Sequence, residues 1–370
     1  MVNTNHTDIH ESFLQLVRLG IGTGTVNGSG LTVHGSTDWQ ALKVLADEQG
    51  LSAIVLDGID RLQLNGLVDY EMPLQMKLEW IGEVLQGEQT YKLQHEVAKD
   101  MSSLFHANAI RTYVLKGDVI AECYPKPNHR VSVDIDCFLL PGKGDFDAWS
   151  LGNDLVQTKG FSVNTDFYKN SSFDISGVNI ENHQYLTPFR GNVRLASLEK
   201  LLQAYLRQDK GDDVFEETHL YRPPVMVSAL FLIEHAYSHF LHEGLTWRMV
   251  LDWVMFSRKH KDEIDWEGLD KQIDEFGFRK FYDSYSRLGR LLTGEITTDG
   301  LHVTDRKMLE DIWNSLDLHE TVRGVKGKLA LAGNTWRARW KYRYFSDISW
   351  VTALWIQVKG FLFEKNPTLN

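Results

Sequence analysis

Two aspartates, Asp134 and Asp136, stand one residue apart in RVSVDIDCFLL (130–140), a run that otherwise reads as a buried strand. Side chains at i and i+2 of a strand share a face, so the two charges cannot avoid each other. A divalent cation resolves that repulsion. Mg²⁺ is held by one or two carboxylates together with substrate phosphates and water, and an Asp-x-Asp pair supplies such ligands from rigid positions. A third carboxylate from an adjacent strand would allow two metals to be bridged. The plainer explanation is an edge strand with one wet face.

The surroundings fit the metal reading. TYVLKG (112–117) has strand character and ends in Gly117, and DVIAECY then opens a helix, so free backbone N–H groups stand where phosphate oxygens bind. Lys116 and Arg130 carry the charge to neutralise a triphosphate, or to balance the local carboxylates in structural ion pairs. Glu181, in VNIENH, lies on a later strand and is the candidate third acid, with Asp174 in SSFDIS as the alternative. The chemistry expected is phosphoryl-type transfer: cations stabilise the transferring group while a carboxylate helps deprotonate an attacking hydroxyl.

Three zones position these residues. The first, 1–95, has helical spacing in HESFLQLVRLG and DWQALKVLADEQG, the latter preceded by Ser36 and Thr37 as caps and ended by Gly50. A Gly-rich connector, GIGTGTVNGSG, separates the two, and a segment from Pro73 to Asn108 reads as one or two helices. The second zone, 96–195, alternates strands and helices and closes with two strand-like runs, FSVNTDFY and VNIENHQYL, joined by a polar turn at KNSS. The third, 196–370, is helical, with Pro223 and Pro224 marking one helix start and Gly244 its end.

Bulk properties set limits. A net charge of −11 argues against an extended basic face that binds nucleic acid by bulk electrostatics, though a local basic cleft is compatible with it. Two cysteines cannot form a disulfide framework, which points to a reducing compartment. The first twenty residues lack a signal-peptide pattern, and the apolar run WVTALWIQVKGFLF is too short to span a bilayer. A cytoplasmic location is expected.

VLKGDVIAECYPKPNHRVSVDIDCFLL resembles the signature of a family of uncharacterised nucleotidyltransferases within the DNA polymerase β-like superfamily. That superfamily's pattern is a strand, a glycine pair or Gly-Ser, an Asp-x-Asp strand, and a third acid on a following strand. The resemblance implies transfer of a nucleoside monophosphate from a nucleotide to a hydroxyl-bearing acceptor with two Mg²⁺ ions. It assigns Gly117 to the glycine, Asp134 and Asp136 to the metal pair, and Glu181 to the third carboxylate; the Lys116 position, the Tyr-Pro segment and Arg130 also match. ENHQYL resembles the family's acidic-x-His strand, and LIEHAYSHFLHEGLTWRMVLDWVMF its following helical pair. Three departures stand out. Asp118 follows Gly117 where Ser or Gly is usual, sixteen residues separate Gly117 from Asp134, and residue 182 is Asn rather than apolar.

Outside the motif, His235, His239 and His242 form one helical stripe. Zinc is disfavoured because residue 236 is Ala where a zincin has Glu. Contact with an acceptor, or a structural role, remains open for His235 and His239, as for His183. RARWKYRYF near the C-terminus is basic and aromatic, a composition that stacks bases, faces a membrane or partner, or packs internally.

The expected molecule is an α+β protein with a polymerase β-like core flanked by helical regions. It would be an enzyme using Mg²⁺ or Mn²⁺ and a nucleoside triphosphate, with a small acceptor favoured over long nucleic acid. The alternative is a catalytically degenerate relative that binds a nucleotide or a partner, as an antitoxin-like or regulatory module.

Overall fold

The alternation of Asp134, Asp136 and Phe138 with Ile135, Cys137 and Leu139 gives one strand two unlike faces, and the fold is arranged around that strand. The computed structural model describes residues 4–24, 37–64, 72–314 and 336–363. In chain order the elements begin with helices α1 (Thr4–Gly20), α2 (Trp39–Glu48), α3 (Ser52–Leu64) and α4 (Leu74–Ala107). Strand β1 (Ile110–Val114) and the one-turn α5 (Asp118–Ala121) lead to β2 (Asp134–Pro141) and α6 (Ala148–Thr158). A hairpin of β3 (Asn170–Ile175) and β4 (Val178–His183) precedes α7 (Val193–Gln208) and the short β5 (Leu220–Tyr221). Helices α8 (Val225–His242), α9 (Trp247–Lys259), α10 (Trp266–Glu275), α11 (Arg279–Leu292), α12 (Val303–Asn314), α13 (Arg339–Phe345) and α14 (Trp350–Phe363) follow.

The five strands form one mixed sheet in the order β3-β4-β2-β1-β5. β2 is central, antiparallel to β1 and parallel to β4. Its position explains why it is buried along almost its whole length, and it rules out the wet edge strand considered above. On the apolar side, α6 presses so closely that a Cβ at Gly152 would displace the tip of the Leu139 side chain. Val97, Ala98, Met101 and Phe105 of α4 join the same core.

The segment from Pro73 to Asn108 is a single helix of 34 residues. At roughly 1.5 Å per residue it spans about 50 Å, tying the sheet to the N-terminal helices through Trp80, whose indole N–H donates to the Ser52 carbonyl at 3.2 Å. The cap of α2 is Asp38, which accepts from the Ala41 amide at 3.0 Å, rather than Thr37. Ser36 and the later part of the Gly-rich connector lie outside the described residues.

The hairpin also differs from expectation. β3 runs through the supposed turn KNSS, the real turn is Ser176–Gly177, and the expected strand at 161–168 touches the sheet only through an Asn164–Ser172 bridge. Polar residues are tolerated in β3 because their hydrogen bonds are supplied from α6: the buried Ser171 hydroxyl donates to Asn153 Oδ1 at 2.7 Å. Asn182 of β4 donates to the same oxygen at 2.9 Å, and its carbonyl accepts from the Trp149 indole. The departure at residue 182 therefore serves the packing face of the sheet.

Candidate functional site

The parallel register of β2 and β4 sets Asp136 directly opposite Glu181, and Asp134 opposite Asn179. The period of two then puts Asp134, Asp136, Glu181 and His183 on one face. One ligand atom each from Asp136, Glu181 and His183 lies within 4.8 Å of the others. His183 Nε2 is 3.0 Å from Asp136 Oδ1 and 3.6 Å from Glu181 Oε2, while Nδ1 lies 3.2 Å from the Tyr185 carbonyl. Both ring nitrogens thus face acceptors. Burial alone would lower the imidazole's pKa, but hydrogen bonds to the two carboxylates outweigh it and raise it above the ordinary histidine value.

Lys116, just beyond β1, stands on the other side of the pair. Its ammonium is 2.9 Å from Asp136 Oδ2 and 3.8 Å from Asp134 Oδ1. Burial would raise the Asp136 carboxyl, yet Lys116 and His183 hold it far below the usual carboxylate range. Asp134 is pushed up, first by burial and then by Asp136, with Lys116 and Arg248 opposing.

Gly117 has φ 66° and ψ −113°, a backbone state that a side chain strongly disfavours. The only atom within 4 Å of a Cβ built there would be Ser132 Oγ at 3.6 Å, so conformation rather than space demands glycine. α5 is a single turn and presents little of the dipole expected of a long helix. Asp118 does not crowd the site: its carboxylate pairs with His95 of α4 at 3.2 Å.

Arg130 is buried and committed. Its Nε and Nη2 donate to the two oxygens of Asp252 on α9, which also accepts from the Tyr124 hydroxyl at 2.7 Å. Arg248, four residues before Asp252 on the same helix, makes the looser contact, at 3.7 Å. Asp174, the alternative third acid, is exposed and accepts from the Gly177 amide in the hairpin turn.

A cleft of about 270 Å³ opens beside Asp134, between the start of β2 and helices α8 and α9. Lys116, Arg130 and Arg248 line it together with His235 and His239. Burial first, and Lys116 second, keep His235 neutral. His239 pairs with Glu243 at 2.9 Å, and His242 points elsewhere, toward Tyr342. Deeper in α8, Glu234 is enclosed, and burial pushes its carboxyl up to about 7.

The donor set suits a divalent cation. Asp136 Oδ2 is buried with the Lys116 ammonium beside it, Glu181 is part-exposed nearby, and carboxylate oxygens are the preferred ligands of Mg²⁺ and Mn²⁺. A family model described as uncharacterised nucleotidyltransferase matches residues 35–294. The chain belongs to that family. Neither the curated proteins nor the solved structures searched contain a match to it. This nucleotidyltransferase-family chain is a mixed α+β protein whose sheet core is flanked by helical regions, and no helix among its described residues is long and apolar enough to cross a membrane.

Proposed function

We propose that this chain transfers a nucleoside monophosphate from a nucleoside triphosphate to a hydroxyl on a small acceptor. The observation that carries the reading is the in-register pair of Asp136 and Glu181, with His183 on one side and the cleft carboxylate of Asp134 on the other. Asp134, Asp136 and Glu181 would hold Mg²⁺ or Mn²⁺, which when bound supplies charge neutralisation at the phosphates. With a cation on the aspartates, Lys116 and Arg248, which both line the cleft, would be the side chains to pair with the phosphate oxygens. The Lys116–Gly117 turn lets the backbone approach those oxygens closely.

In the reaction the acceptor oxygen forms a bond to the α-phosphorus, the bond from that phosphorus to the bridging oxygen breaks, and pyrophosphate leaves. Asp134 is the carboxylate that lines the cleft, which suits it to take the hydroxyl proton. Arg130 acts through Asp252, as a positioning residue that fixes the cleft wall against the sheet. His235 and His239, on the helical wall, face the acceptor. The cleft is small for a ligand site, which suits a compact acceptor better than a nucleic-acid strand.

A second reading draws on Lys116: an ammonium set against both aspartates is what a catalytically degenerate relative would use in place of a metal. Thermal unfolding with each nucleoside triphosphate, with and without Mg²⁺ or Mn²⁺, separates the two. A ligand at a hundredfold its Kd stabilises the fold by about 2.7 kcal/mol. A metal-dependent rise with one nucleotide supports the transferase; no rise with any nucleotide supports the degenerate, partner-binding module.

A further inference from the structure

A cluster of basic residues on this acidic chain lies far from the cleft in sequence. Lys307 of α12 and Arg337, Arg339 and Arg343 around α13 line a hollow of about 670 Å³ together with Trp340, Tyr344 and Trp350. Among the described residues no carboxylate lines it. The one buried lysine of α13, Lys341, turns inward to Asp311 and the Phe240 carbonyl, so the basic run divides into a packing residue and a solvent-facing set.

An apolar surface adjoins the hollow. Trp350 belongs to both, since it lines the hollow and opens α14. From there Val351 (67% exposed), Leu354 (39%), Trp355 (63%) and Val358 (40%) follow at spacings of three, one and three residues, a single stripe along the helix that faces water. Ala353, on the other side, is buried. Trp336 is 53% exposed, meets Trp350 edge-on at 5.3 Å, and carries the Arg339 guanidinium over its ring at 4.3 Å. Aliphatic side chains, indoles and guanidinium groups are thus contiguous.

We infer that this face docks on an anionic lipid bilayer, with the α14 stripe entering the acyl boundary, Trp336 and Trp355 at headgroup depth, and the arginines on lipid phosphates. Each part matches a layer of the membrane interface: amphipathic helices bury an apolar face there, indoles concentrate at headgroup level, and clustered cations are drawn to anionic lipid. A nucleic acid would engage the cations and indoles but has no use for an aliphatic row. A second copy related by a two-fold axis would set the same four cations against their own kind.

Flotation of the full chain with vesicles tests this. The protein should rise with phosphatidylcholine vesicles containing phosphatidylglycerol, not with phosphatidylcholine alone, and added salt should release it. Two variants at exposed positions, Leu354→Glu/Trp355→Glu and Arg337→Glu/Arg339→Glu/Arg343→Glu, should each lower the bound fraction by about tenfold or more while keeping a wild-type circular dichroism spectrum and melting temperature. Absence of flotation by the folded wild type overturns the inference, as does binding that survives both variants or ignores lipid charge. Binding of single-stranded RNA without vesicle binding overturns it in favour of nucleic acid. Self-association abolished by Leu354→Glu/Trp355→Glu, again without vesicle binding, overturns it in favour of a second copy.

Discussion

Arg130 grips Asp252 through a two-point fork, Nε to Oδ1 at 3.1 Å and Nη2 to Oδ2 at 2.8 Å, and joins the approach to β2 to helix α9 across 122 residues of sequence. Both side chains are buried. Breaking such a pair leaves an uncompensated charge indoors and costs about 3–5 kcal/mol. Arg130→Ala and Asp252→Ala should each lose about that much in urea unfolding, and the double variant should lose clearly less than their sum. Additive losses would show that the fork is not a coupled unit.

The two aspartates of β2 should respond differently to the same change. Asp134→Asn removes a part-exposed charge that Asp136 repels, so its stability should stay within about 1 kcal/mol of wild type while any metal- and nucleotide-dependent thermal shift disappears. Asp136→Asn strands Lys116 and His183 without their shared anion and should destabilise by about 3–5 kcal/mol. Thermal melts of both variants, with and without Mg²⁺, decide the point. Equal destabilisation by the two would sink the division of labour drawn here.

Glu234 gives the fold a pH signature. Burial raises its folded-state pKa to about 7, well above the roughly 4.3 of an exposed glutamate. The folded chain therefore keeps a proton that the unfolded chain has released; the associated stability is complete below the unfolded pKa and is lost as pH rises through about 7. Glu234→Gln should accordingly stabilise the protein at pH 8 by on the order of 3–4 kcal/mol and have little effect near pH 4. A stability difference independent of pH would refute it.

Gly117 is open to a clean backbone test. Space exists for a methyl group, so Gly117→Ala isolates the cost of the positive φ, about 1–3 kcal/mol in chemical denaturation. An alanine variant as stable as wild type would mean that the turn relaxes and that glycine is dispensable there.

The acidic face was readable because strand periodicity is local: Asp134 and Asp136 declare their common side through a spacing of two, and Glu181 and His183 do the same on β4. What joins them is the parallel register between strands some 45 residues apart, which no local pattern encodes. The same limit hid the partner of Arg130. A four-residue helical spacing is the only local cue for Asp252, and it leads to Arg248, whereas the stronger contact comes from another element. β3 was misplaced because Asn170, Ser171 and Ser172 have turn-like polarity; only Asn153 of α6, waiting on the buried side, makes Ser171 a strand residue. The helical character of the third zone was legible, and so was Pro224 at the start of α8.

The strand β2 carries catalytic-type and packing residues in strict alternation, with Gly152 of α6 pressed against Leu139 on the second face. A one-residue slip of β2 against its neighbours would invert that assignment, bringing Ile135 and Cys137 to the face of Glu181 and His183 and driving carboxylates into the close-packed helix. Such a change would remove the fold along with the chemistry. Register in this stretch is therefore inherited as rigidly as the aspartates themselves, whereas a loss of function by substitution, as at Asp134, leaves a folded chain free to drift toward another use.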